Sequence, residues 1–306
     1  MMMDRRSFLK LSGASMGALL LDLGGRLPAS AGMAAVPVAE EGTERLAMLY
    51  DNSLCVGCRA CQMACKQWNK LPSLSTDPQG LYESPRDLAP TAWTMIQVAK
   101  YQVNAQRDYL FFKKGCMHCG EPACVAVCPT SALKKQPNGL VTLEQDLCNG
   151  CGYCTQSCPF HVPQLQVVNQ LTGEAKSSKC TFCQDRVSQG LRPYCIQSCP
   201  VGALDWGGRE EMLVKARDRV EVLKAGIFPE ANLYGEAQLG GLGRLYVLLA
   251  PPTAYGLPQD PGFPASAVLL KKILQPVGQV AFGATILGLL AAFLVARHNV
   301  HMEEVE

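Results

Sequence analysis

Cys148-Asn149-Gly150-Cys151-Gly152-Tyr153-Cys154-Thr155-Gln156-Ser157-Cys158-Pro159 decides how the rest of this 306-residue chain is read. Its cysteines are spaced C-x2-C-x2-C-x3-C and end in Cys-Pro. The same spacing recurs at Cys55, Cys58, Cys61 and Cys65, where Lys66 replaces the proline. Cys116, Cys119, Cys124 and Cys128 follow C-x2-C-x4-C-x3-C, with Pro129 behind them. Cys180, Cys183, Cys195 and Cys199 put eleven residues between the second and third members and end at Pro200. The chain has sixteen cysteines, so none is left over.

The chemistry of iron and sulfide accounts for that spacing. Three thiolates two residues apart let a tight loop hold three corners of an iron–sulfur cube. The fourth, three residues on, points away and completes a cluster built on another group. Proline after it withholds an N–H and favours extended backbone before it, which turns the chain away. Two ferredoxin-like units would give four [4Fe-4S] clusters from sixteen ligands. Two alternatives would make the chain a structural module. Disulfides would suit an exported protein, and zinc is held by paired C-x2-C motifs. The density of the C-x2-C pairs and the trailing cysteine of each group suit iron–sulfur clusters better.

The composition is otherwise ordinary, with 48% hydrophobic and 18% charged residues. That is enough for one or two domains with their own cores, and it excludes a disordered or coiled-coil chain. Lys and Arg total 28 against 26 Asp and Glu, a net charge of +2, so no basic footprint for nucleic acid is present.

Both ends carry membrane-related signals. Asp4-Arg5-Arg6-Ser7-Phe8-Leu9-Lys10 precedes an apolar run over residues 11–21 and the small residues Ala29-Ser30-Ala31. This reads as a twin-arginine export signal with an A-x-A cleavage site, too short to span a bilayer. Residues 273–296 form an uncharged stretch of 24 residues between Lys271-Lys272 and Arg297. At about 1.5 Å per residue it exceeds the ~30 Å hydrocarbon core and predicts one transmembrane helix. Ala284, Gly288, Ala292 and Ala296 lie four apart on one face, a spacing suited to a partner helix. The flanking lysines alone would put the main domain in the cytoplasm, but that rule fades for long exported domains. The export signal therefore places the main domain outside and the tail, residues 298–306, inside.

Between the cysteine groups the pattern predicts short elements. Residues 132–135 and 140–143 flank Gln136-Pro137-Asn138-Gly139, a hairpin with an Asn-Gly turn. Residues 93–102 and 109–113 predict a second hairpin, and residues 48–51 and 244–250 two strands. Residues 209–225 predict an amphipathic helix with Met212, Leu213, Ala216, Val220 and Leu223 inward.

With these features together, the chain resembles the ferredoxin-type electron-transfer subunits of molybdopterin oxidoreductases and membrane-bound hydrogenases. Within that family it is most similar to the subunit of periplasm-facing, hydrogenase-2-type [NiFe] enzymes. The likeness rests on Met48-Leu49-Tyr50-Asp51, Leu54-Cys55-Val56-Gly57-Cys58, residues 113–119, Ser131-Ala132-Leu133-Lys134-Lys135, the twin-arginine start and the C-terminal anchor. The iron–sulfur beta subunit of membrane-bound formate dehydrogenase is the competing resemblance. The resemblance implies an α+β fold of two pseudo-symmetric bacterial-ferredoxin-like units, with short hairpins and helices, plus one C-terminal transmembrane helix. It implies a signal over residues 1–31, a double-ferredoxin domain over 32–230, an extension and linker over 231–270, a transmembrane helix over 271–297 and a cytoplasmic tail over 298–306.

The resemblance also implies ligand sets that cross between groups. Cys116, Cys119 and Cys124 would share a cluster with Cys158, and Cys148, Cys151 and Cys154 one with Cys128. Cys55, Cys58 and Cys61 would join Cys199, and Cys180, Cys183 and Cys195 would join Cys65. Residues 1–31 hold four basic and two acidic side chains, so the remainder carries 24 of each. Each oxidised cube with four thiolates adds about −2. Lys113, Lys114, Lys179 and Arg186 are candidates to offset that charge, although lysines of this kind are commonly solvated.

No C-x-x-C-H haem motif, full dinucleotide fingerprint or P-loop occurs. His118 and His161 read as loop residues beside cysteines, and Trp68, Trp93 and Trp206 as core. The chain is therefore expected to be a non-catalytic relay in the inner membrane. It would pass electrons from a [NiFe] hydrogenase large and small subunit pair to an integral quinone-binding subunit.

Overall fold

The computed structural model describes residues 44–72, 87–104, 107–265, 269 and 273–299. The twin-arginine signal, its cleavage site, Lys271-Lys272 and the tail beyond residue 299 lie outside the described residues. The chain runs β1 (Leu46–Asp51), α1 (Ala60–Trp68), β2 (Thr94–Asn104), β3 (Arg107–Gly115), α2 (Ala123–Ala126), β4 (Leu133–Lys135), β5 (Val141–Leu143) and α3 (Tyr153–Ser157). It continues with β6 (Gln164–Asn169), β7 (Glu174–Ser178), α4 (Gln184–Val187), α5 (Tyr194–Gln197), β8 (Leu204–Gly208) and α6 (Arg209–Ala225). The last elements are β9 (Asn232–Tyr234), β10 (Arg244–Leu248) and α7 (Gln275–Asn299).

Four strands form one sheet in the order β8-β1-β10-β9, with β1 and β10 parallel and the outer pairs antiparallel. All five residues of β10 are buried, as the near-continuous apolar run of a covered central strand requires. Helix α6 packs on β1, β8, β9 and β10. Its buried residues include Met212, Leu213, Ala216, Val220 and Leu223, the face that the apolar spacing predicts. From β3, Phe112 stacks on Tyr246 at 5.2 Å between ring centres, and the Tyr246 hydroxyl donates to the Lys113 carbonyl at 3.1 Å.

Three hairpins, β2-β3, β4-β5 and β6-β7, project from this frame. The first two are those predicted from the sequence. The turn of the second differs in detail. The Gly139 N–H donates to the Gln136 carbonyl at 2.9 Å, so Pro137 and Asn138 are its central residues and Gly139 follows them. Proline's fixed φ favours the second position of a turn, which displaces the Asn-Gly pair by one residue.

Residues 231–257, read from the sequence as an extension with a strand over 244–250, are built into the sheet. They supply β9 and β10 to the sheet, and Tyr255 reaches back to donate to Asn52 Oδ1 at 2.7 Å. The physical reason is that β1 needs an apolar partner on its second edge, and Leu245, Tyr246, Val247 and Leu248 provide it, each fully buried.

Helix α7 contains Pro276–Arg297, long and apolar enough to cross a membrane. None of that segment is buried in the protein, so it is not a core helix.

Candidate iron–sulfur centres

The first cysteine loop leaves β1, turns at Gly57 with φ +70°, and enters α1, which carries Cys61 and Cys65. A Cβ on Gly57 would fall on the Phe111 ring, so glycine is needed there for close approach as well as for φ. Cys55, Cys58 and Cys61 line a first hollow of about 320 Å³, and Cys199 joins them from beyond α5. Cys65, one turn further along α1, instead lines a second hollow of about 350 Å³ with Cys180, Cys183 and Cys195. A third hollow of about 310 Å³ is lined by Cys128, Cys148, Cys151 and Cys154. Cys116, Cys124 and Cys158 all act electrostatically on Cys119, which makes the fourth gathering. Each gathering draws three cysteines from one sequence group and one from another.

All sixteen cysteines are free thiols gathered by fours, an arrangement for a shared guest and not for eight pairwise bonds. Among the described residues no His, Cys, Asp or Glu group converges tightly enough to hold a single metal ion. A four-iron cube asks for something else, because each thiolate binds a different iron and the sulfurs stand apart. Hydrogen bonds reach several sulfurs: the Ser177 N–H donates to Cys148 Sγ at 3.2 Å and the Phe182 N–H to Cys180 Sγ at 3.4 Å.

Burial raises several of these thiols. It pushes Cys65 and Cys119 well up, Cys158 up to about 11 and Cys183 up to about 12. At Cys128 burial is outweighed by hydrogen bonds from the Leu133, Thr130 and Ala132 backbone and the Thr130 hydroxyl, and the thiol is lowered. The raised thiols therefore need a bound cationic centre to become thiolate.

Three cations are sealed in beside the thiols. Lys113 is 0% exposed, Lys179 1% and Arg244 1%. Lys113 Nζ donates to Thr94 Oγ1 at 2.5 Å, and Lys179 Nζ to the Val141 and Cys180 carbonyls at 2.6 and 2.8 Å. Among the described residues Arg244 Nε and Nη1 have no hydrogen-bond partner. Among the described residues, none of the three has a carboxylate partner within 4.0 Å. An uncompensated buried cation costs several kcal/mol, roughly. Cations beside all-thiol hollows therefore fit guests with net negative charge, which thiolate-held iron–sulfur cubes carry.

His118 is fully buried in the left-handed region at φ 47° and belongs to no helix or strand. Burial, then Lys179 and Arg244, hold its imidazole well below the usual range. The Val141 N–H donates to its Nδ1 at 3.0 Å, so the neutral ring carries its proton on Nε2, which has no partner among the described residues.

Two suggested counter-charges sit elsewhere. Lys114 pairs with Asp87 at 2.6 Å at the surface, and the Arg186 guanidinium stacks on Trp68 at 4.5 Å. Trp68 is half-exposed and is not core, because α1 turns its cysteines inward and its last residue outward. Arg244 went unpredicted. Its signal was a single charge opening an otherwise apolar strand.

Thiol quartets of this spacing beside buried cations fit a protein of the iron–sulfur class. Two models described as 4Fe-4S dicluster domains match residues 54–132 and 107–209. The formate dehydrogenase iron-sulfur subunit of Haemophilus influenzae is 38% identical over 286 residues, 92% of this chain and 90% of that one. The nitrate-inducible formate dehydrogenase iron-sulfur subunit of Escherichia coli is 37% identical over 85% of this chain and 88% of its own. The hydrogenase-2 operon protein HybA of Escherichia coli O157:H7 is 35% identical over 84% of each chain. The chain belongs to this family of electron-transfer iron–sulfur subunits of oxidoreductase complexes.

Proposed function

We propose that the chain is a non-catalytic relay holding four [4Fe-4S] clusters, one in each thiol gathering. The ligands would be Cys55, Cys58, Cys61 and Cys199; Cys65, Cys180, Cys183 and Cys195; Cys116, Cys119, Cys124 and Cys158; and Cys128, Cys148, Cys151 and Cys154. The groups form two nested, pseudo-symmetric ferredoxin-like units, the second and third groups inside the first and fourth. When bound, the clusters supply one-electron chemistry.

The observation that carries this reading is continuity. Cys61 of the first hollow acts electrostatically on Cys195 of the second, and Cys154 of the third hollow on Cys124 of the fourth gathering. Arg244 acts on Cys180 and Cys195 and on Tyr246, which feels Cys116, so the middle of the row is also joined. The two end gatherings each keep one exposed cysteine, Cys58 and Cys151, where electrons can enter or leave.

The domain stands outside the cytoplasmic membrane, with one C-terminal helix across it and residues 298–306 inside. The twin-arginine motif and the apolar Pro276–Arg297 segment support this placement. Electrons pass to an integral membrane subunit that reduces quinone. Formate oxidation by a molybdenum partner is the first reading of their source, supported by higher identity and fuller coverage among the formate dehydrogenase relatives. A [NiFe] hydrogenase pair is the second reading, supported by HybA and by the features of the hydrogenase-2 resemblance.

The test uses the detergent-extracted complex, purified anaerobically through a tag on this chain. Formate and hydrogen are added separately while the visible iron–sulfur absorption is followed. Bleaching by formate alone supports the first source and bleaching by hydrogen alone the second. Iron and acid-labile sulfide near sixteen each per chain, roughly four per cube, are required by either. Zinc in place of iron would return the chain to a structural module.

A further inference from the structure

We infer that Lys113 is a counter-charge shared by two clusters, raising together the potentials of the one on Cys55, Cys58, Cys61 and Cys199 and the one on Cys65, Cys180, Cys183 and Cys195. The inference rests on the cluster assignment proposed above.

Lys113 lies on β3 opposite Ile96 of β2. Strand alternation sends Phe112 into the aromatic core against Tyr246 and turns Lys113 the other way. Its side chain lines both the first and the second hollow. Thr94 fixes it there. The Thr94 hydroxyl donates its own proton to the Lys114 carbonyl at 3.0 Å and so can only accept from Lys113 Nζ at 2.5 Å. An ammonium has three N–H groups, and among the described residues the other two have no protein acceptor. Burial and the neighbouring Arg244 oppose its charge, but the Cys61, Cys195 and Cys65 sulfurs, as thiolates, outweigh them and favour it. Those sulfurs come from both quartets. Arg244, by contrast, lines the second hollow and faces Cys180 and Cys195, and Lys179 acts on Cys124 and Cys158 of another gathering.

Reduction adds one negative charge to a cluster. A fixed cation between two clusters favours the reduced form of each, and the interaction is strong where water is excluded. Removing that charge while keeping the volume should lower both reduction equilibrium constants at least about tenfold, which for a one-electron couple is about 59 mV.

The experiment is an EPR-monitored redox titration of the intact complex carrying wild-type chain, K113M, K113Q or K113R. Two of the four potentials are expected to fall together in K113M and K113Q, while K113R keeps them near wild type. A shift in one cluster only, in none, or equally in all four overturns the inference. If K113M and K113Q lose iron while K113R loads fully, the same need for charge has acted at assembly, and the inference stands. If K113R also fails to load, Lys113 serves packing and the inference falls. A wild-type complex without iron–sulfur signals would instead defeat the cluster assignment itself.

Discussion

Gly115 and Arg244 show how closely single residues are constrained around these sites. A Cβ at Gly115 would meet Arg244 Nη1 at 2.6 Å and the Trp93 carbonyl oxygen at 3.2 Å. G115A should therefore push the guanidinium from its place and cost about 1–3 kcal/mol, as overpacking does. Thermal melting of the anaerobic complex reads that loss. The crossed gatherings make a second prediction at this scale. C199S should abolish the same EPR signal as C61S, and C65S the same signal as C195S, although each pair spans two sequence groups. The cysteines themselves were legible in the sequence, because thiol spacing encodes loop geometry directly. Lys113 and Lys179 were legible as candidates only. Arg244 was not, because strand periodicity reports a face and not a depth, and a buried cation makes sense only once distant thiols have gathered round it.

The apolar face of helix α6 was legible, since Met212, Leu213, Ala216, Val220 and Leu223 repeat at helical spacing and are all buried. Substitutions should follow burial. L245A in β10 removes a fully buried side chain and should cost about 2–5 kcal/mol. V214A on the exposed face of α6, where Val214 is 55% exposed, should stay within about 0.5 kcal/mol. Denaturant titration of the purified complex distinguishes them. The β6-β7 hairpin was harder to read. Leu165, Val167, Val168 and Leu171 are all exposed, so no buried face imposes an alternating pattern, and its register slips between Val167 and Asn169. Helix α7 was plain from its composition. L287R, near the middle of the apolar segment, should weaken membrane insertion by about 2.5–3.5 kcal/mol. Membrane fractionation should then find more of the chain in the soluble fraction.

At the scale of the molecule, stability and cofactor content are expected to be inseparable. Among the described residues Lys113, Lys179 and Arg244 lack carboxylate partners, so stripping the clusters would leave their charges facing neutral thiols. Anaerobic chelation of iron should lower the melting temperature and broaden the transition, as calorimetry of loaded and stripped complex would show. The sheet order β8-β1-β10-β9 was not legible. Each strand is short, and nothing local in Met48 names Arg244 as its neighbour. The reason is distance along the chain: loop closure over such a separation is decided by which apolar edges remain uncovered, a property of the assembled whole. This late pairing acts as a check on completeness. β10 enters between β1 and β9 and carries Arg244 to the thiols, so a chain still emerging from the ribosome lacks both its middle strand and a core charge. A quality-control step that inspects folding before release would thereby be counting residues.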